Sequence, residues 1–131
     1  VFEQEIASDM ALVHSLVRNA VETLRDDGHL PAREAGRMAL CIEEALVNAV
    51  VHGNKGERKR KVRLQVFRSG GELSIFVRDE GKGFDPGKVE DPRRSESVWR
   101  ESGRGIFLIR HYMDNVEFFA NGSTVLMRRR V

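Results

Sequence analysis

Along the first third of the chain, apolar residues recur at the three- and four-residue spacing that lines one side of a helix. Met10, Leu12, Val13, Leu16, Val17, Ala20, Val21 and Leu24 form one such stripe. Ser8 or Asp9 is a fitting N-cap, and Asp26-Asp27-Gly28 stops the pattern. Ahead of it, residues 1–7 alternate loosely (Phe2, Glu3, Ile6), as a short edge strand does. A second stripe runs through Ala35, Met38, Ala39, Ile42, Leu46, Ala49 and Val50, with Pro31 in its first turn and Gly53 and Gly56 at its end. The period then changes to two. Val62-Leu64-Val66 and Leu73-Ile75-Val77 alternate on either side of Arg68-Ser69-Gly70-Gly71, a hairpin signal. Residues 82–102 show little apolar periodicity, carry Pro86 and Pro92, and read as a long functional loop, with a lid at about 84–102. A short helix over 106–113 follows Gly103-Arg104-Gly105. A last hairpin pairs Val116-Glu117-Phe118 with Thr124-Val125-Leu126-Met127 across Asn121-Gly122. The order predicts one domain over 1–131, an α/β two-layer sandwich (α+β in the strict sense) whose mixed, mostly antiparallel sheet is covered on one face by helices.

Composition narrows this picture without redirecting it. At 131 residues, with 40% hydrophobic and 32% charged residues, the chain has the make-up of one globular domain. No apolar run approaches the ~20 residues of a membrane-spanning helix, so no membrane role is expected and the cytoplasm is the expected compartment. The first residue is Val1, which suggests a processed or trimmed piece of something longer. The single cysteine, Cys41, excludes an internal disulfide and a cysteine-based zinc cluster; among helical apolar positions it reads as a buried structural thiol. Basic residues cluster at 58–63 and 128–130, but without interleaved aromatics and at strand ends. They read as solvated strand termini rather than a nucleic-acid site.

Three places carry candidate chemistry. Glu44, Asn48 and His52 recur every four residues inside the second apolar stripe, and four residues overshoot a helical turn by about 40°, so they form a slowly drifting polar line. A carboxylate one turn from a neutral amide suits a magnesium-bound phosphate, because the amide oxygen can ligate the cation while the carboxylate takes a proton. The plain alternative is a helix face turned to water. The second place is Asp79 at a strand end, followed by Gly81 and Gly83. Such a carboxylate can accept the exocyclic amino group of adenine, which guanine O6 does not offer; the alternative is a Gly-rich surface turn. The third is Ser102-Gly103-Arg104-Gly105-Ile106, where free amides at a helix mouth attract phosphate, unless it is only a flexible junction. A P-loop, a dinucleotide fingerprint and the eukaryotic-type kinase motifs are absent, and the four histidines lack metal-site spacing.

In this order, the helix with Glu44 and Asn48, the Asp79 turn, the long loop and the Gly-Arg-Gly junction resemble the GHKL superfamily, which includes gyrase and histidine-kinase ATPase domains and has the Bergerat ATP-binding fold. Within it the chain is most similar to bacterial anti-sigma-factor serine/threonine-protein kinases. The resemblance implies ATP/ADP and Mg²⁺ as cofactors. It makes Glu44 the general base and Asn48 the metal ligand, with His52 lining the pocket's end. It makes Asp79 the holder of the adenine amino group, supported by Thr124. Gly81 and Gly83 would let the chain turn beside the nucleotide, and Gly103, Arg104, Gly105 and Ile106 would wrap the phosphates. Glu43 is expected to face solvent or a basic residue, and His14 to be an ordinary helix residue. The implied partners are a STAS-type anti-anti-sigma protein, an RNA polymerase sigma factor and a second copy of the chain, with no direct contact to nucleic acid. A nucleotide-loaded regulatory module that binds partners without phosphotransfer is the alternative.

Overall fold

The computed structural model describes residues 1–81, 105–120 and 123–131, except for the side chain of Ile106. The expected lid, together with Gly83, Gly103, Arg104 and the Asn121-Gly122 turn, lies outside these residues.

Strand β1 (Phe2–Ala7) leads into α1 (Met10–Asp26), which Asp9 caps by accepting the Ala11 N–H at 2.9 Å. Helix α2 (Ala32–Asn48) follows, with Pro31 one residue earlier than expected, at the N-cap. The hairpin β2 (Lys61–Ser69) and β3 (Glu72–Asp79) turns at Gly70 and Gly71, where Gly70 has φ +59°. Helix α3 (Gly105–Tyr112), β4 (Asn115–Phe119) and β5 (Thr124–Arg130) complete the described elements. The sheet order is β1-β2-β3-β5-β4, with every pairing antiparallel.

Alternation along the strands divides the sheet into two faces. Val62, Leu64, Val66, Leu73, Ile75, Val77, Val125 and Met127 join one core with Val13, Leu16 and Leu24 of α1, and Met38, Ile42 and Leu46 of α2. The α/β sandwich expected from the sequence is therefore the observed architecture. Phe67 and Phe76 meet edge to face on the sheet's other side, their ring centroids 5.7 Å apart. In the basic stretch 58–63, Arg58 pairs with Asp9, Arg60 with Glu57, and Arg63 with Glu3. Cys41 is buried, and burial pushes its thiol up to about 12, as befits an inert core residue. Among the described residues no helix is long and apolar enough to cross a membrane.

The second helix departs from expectation at its end. After Asn48 the chain widens into a π-helical turn, Ala49–Gly53, closed by Asn54 N–H to Ala49 O at 2.8 Å. A regular α-helix would carry Asn54 past the sheet. The wider turn delivers it to the ends of β1, β2 and β3, where its side chain finds partners.

At the opposite end, Arg129 of β5 ties α2 to α3. Its guanidinium reaches Glu34 Oε1 at 3.0 Å and donates to Tyr112 O at 2.8 Å, lying 4.1 Å above the Tyr112 ring. Tyr112 Oη donates to the same Glu34 oxygen at 2.8 Å. That phenol bond, followed by Arg129, holds the Glu34 carboxyl below its ordinary value. Arg129→Ala is expected to lose about 2 kcal/mol in urea unfolding, because it strands a largely buried carboxylate. Glu34→Ala added to it should cost well under the sum of the single losses. Strict additivity would separate the two residues.

Candidate functional site

Glu44 and Asn48 lie one turn apart on α2, as their spacing predicts. Asn48 is only 5% exposed, and its Oδ1 is buried without a hydrogen-bond partner. An orphaned amide oxygen costs free energy in an empty fold, and such groups persist where a ligand completes them. Glu44 is half-buried. Burial, and then the neighbouring Glu43 charge, raise its carboxyl above the ordinary value, and no cation among the described residues offsets this. Glu43 points elsewhere: its Oε1 is 2.9 Å from Nδ1 of His14 on α1. The expected basic neighbour of Glu43 is thus His14.

The regular helix that carries Glu44 and Asn48 ends before His52. Half-buried His52 lies within the π-helical turn itself. What the wider turn positions is Gly53. A Cβ there would overlap the Asp79 carboxylate, and a Cβ on Gly81 would overlap Gly53 O. Three backbones therefore converge where only glycine fits at two of the positions.

Asp79, 8% exposed, sits on the core face of β3 opposite Val62. Its Oδ1 accepts the Gly81 N–H at 2.8 Å, and its own N–H donates to Ser123 O at 2.8 Å. Burial raises its carboxyl to about 6, against the smaller lowering by Gly81 and Arg60.

The expectation for Thr124 is corrected by register. Thr124 pairs with Arg78, one residue before Asp79, and partners across an antiparallel pair share a face. Thr124 therefore projects from the sheet face opposite to Asp79, and the residue facing Asp79 across the ladder is Ser123. Because side chains alternate, the one-residue difference is decisive. Gly105 is buried at the start of α3, and Ile106 follows it in that helix.

One participant was missed in the sequence. Asn54 is fully buried, and its amide bonds Ser8, Lys61 and Glu80. It followed Gly53 in a stretch that reads as helix-stopping polar residues, and nothing local distinguishes it. Among the described residues no group of three or more His, Cys, Asp or Glu side chains could hold a metal ion, so a cation here would need ligands of another kind.

These features, a helix carrying a raised acid and an orphaned amide, ending against a buried aspartate in a Gly-lined turn, are set in an antiparallel sheet. A model of the histidine kinase-like ATPase domain matches residues 6–129, and the chain belongs to that family, whose domains bind ATP and ADP. Among curated proteins it is similar to the anti-sigma F factor of Oceanobacillus iheyensis, 30% identical over 103 residues that cover 75% of this chain and 70% of that protein. The anti-sigma F factor of Anoxybacillus flavithermus is 29% identical over 99 residues, 70% of this chain and 66% of the relative. That of Bacillus thuringiensis is 30% identical over 92 residues, covering 69% and 63%. The matched stretch thus spans about two-thirds of these relatives' length.

Two outcomes follow from the geometry. Gly53→Ala should abolish measurable ADP binding and lower the thermal midpoint, since the new methyl must displace Asp79; unchanged calorimetric affinity would remove this contact from the site. The second concerns pH. In the folded chain Asp79 holds its proton up to about 6, against 3.8 ordinarily, so the fold binds more protons than the unfolded chain in that window. Its contribution to stability is complete below the lower value and lost as pH rises through the upper one. Relative to the parent, Asp79→Asn should be spared this loss, a difference of up to about 3 kcal/mol between pH 4 and 7 in urea unfolding.

Proposed function

We propose that this chain is an anti-sigma factor and an ATP-dependent serine/threonine-protein kinase, acting in the cytoplasm on a STAS-type anti-anti-sigma protein. The observation that carries the reading is the pair on α2: a carboxylate raised by burial at Glu44, one turn from the partnerless buried oxygen of Asn48. A module that only bound nucleotide would have no use for such a base.

The residues present fit a magnesium ion. Asn48 Oδ1 is a neutral oxygen lacking a partner, a donor of the kind magnesium takes, and magnesium needs few ligands from the protein. When bound, the ion would supply positive charge that neutralises the charge developing on the phosphates. Glu44 takes the proton from the attacking serine or threonine hydroxyl as its oxygen bonds to the γ-phosphorus. The bond from that phosphorus to the β–γ bridging oxygen breaks, and ADP leaves with the electron pair. A carboxyl raised by burial is the stronger base for this task. Asp79 accepts the adenine amino group, its backbone held by the Ser123 carbonyl across the sheet. Gly81 and Gly83 line the turn, and His52 the pocket's end. Phosphate contact is the role proposed for Gly103, Arg104, Gly105 and Ile106. The names of the relatives support a sigma factor as the second partner, and a homodimer is the proposed assembly.

Glu44→Gln should lower phosphotransfer from γ-labelled ATP to the anti-anti-sigma partner by about 100-fold or more, while ADP affinity stays within about twofold. Undiminished transfer would sink the base assignment. Nucleotide binding with no transfer by the parent chain would leave the binding-module reading.

A further inference from the structure

Asn54 occupies the junction of four segments. Its Nδ2 donates to Ser8 Oγ at 2.7 Å, where β1 has ended, and to Lys61 O at 2.9 Å, where β2 begins. Its Oδ1 accepts the Glu80 N–H at 2.8 Å, just past β3, and its backbone N–H closes the π-helical turn. The amide orientation is dictated by these partners. Ser8 Oγ donates its own hydrogen to Arg60 O at 2.5 Å and Lys61 O is a carbonyl, so both must face the NH₂ group. That leaves the oxygen aimed at Glu80.

The consequence falls on Asp79. Three successive amides hold the turn that presents its carboxylate: Asp79 N–H bonds to Ser123 O, Glu80 N–H to Asn54 Oδ1, and Gly81 N–H to Asp79 Oδ1. The first belongs to the strand ladder and the third to the aspartate itself. Only the second is supplied by a side chain outside the turn. Without it the Glu80 peptide can rotate, Gly81 N–H leaves Oδ1, and the carboxylate plane is no longer fixed. We infer that Asn54 is a positioning residue for adenine recognition, acting through the Glu80 peptide to aim the Asp79 carboxylate at the exocyclic amino group. The inference rests on the proposed role of Asp79.

The test compares ADP with purine riboside diphosphate, which lacks the amino group, by calorimetry. The ratio of the two dissociation constants isolates that group, and a lower folded fraction cancels from it because both ligands sample the same folded population. The parent chain should prefer ADP by about tenfold, the worth of one such hydrogen bond. Asn54→Ala should reduce the ratio to about threefold or less, and so should Asn54→Ser, whose shorter side chain withdraws from Glu80 and which keeps the comparison open if the alanine variant does not fold. Leu16→Ala, a fully buried truncation on α1, is the destabilised control and should retain the parent's ratio. A ratio that survives in both Asn54 variants overturns the inference alone. A parent that does not discriminate removes Asp79 from adenine recognition, and the inference goes with it.

Discussion

Much of this molecule depends on how closely the backbone at Gly53 approaches the Asp79 carboxylate. Two elements from different layers, the end of α2 and the end of β3, meet there without a side chain between them, and Gly81 closes the third side. Close approach of this kind excludes water from one edge of the carboxylate, and burial raises its proton affinity. The π-helical turn is the conformational cost of the arrangement. It replaces regular α-helical bonds by a wider loop, and the buried amide of Asn54 offsets that cost with hydrogen bonds to three segments.

The acids of the fold separate by environment. Glu34 is lowered by the Tyr112 hydroxyl and then by Arg129, and its partners knit α2, α3 and β5 together. Glu44 and Asp79 are raised, both by burial first; the Arg60 charge offsets only a smaller part of this at Asp79. Carboxylates of the first kind hold a structure together; those of the second kind are held by it, and they concentrate where ligands are handled. Glu43 shows how local the distinction is. One residue from Glu44 on the same helix, it swings about 100° round the axis and meets His14 instead.

The two ends of the domain thus do different work. At the Arg129 end, charged and aromatic groups satisfy one another. At the Asp79 end, Asn48 keeps an unpartnered oxygen, and burial raises the Glu44 carboxyl. A buried acceptor left open is the kind of group that persists where a ligand completes it, and the family's domains bind nucleotide.

Periodicity alone determined the helices, the hairpins and the layered architecture, because the apolar stripe of α1 and the alternation of β2 and β3 are direct imprints of which face is buried. The Glu44–Asn48 spacing was legible for the same reason: in a regular helix, distance along the chain is direction in space. Two matters were decided only by tertiary structure. The helix end widens into a π-helical turn where partners at the ends of three strands bind Asn54, and those partners are 46, 26 and 7 residues away in the chain. Thr124 yielded its place beside Asp79 to Ser123 because strand register is set by the whole sheet, and a slip of one residue exchanges its faces.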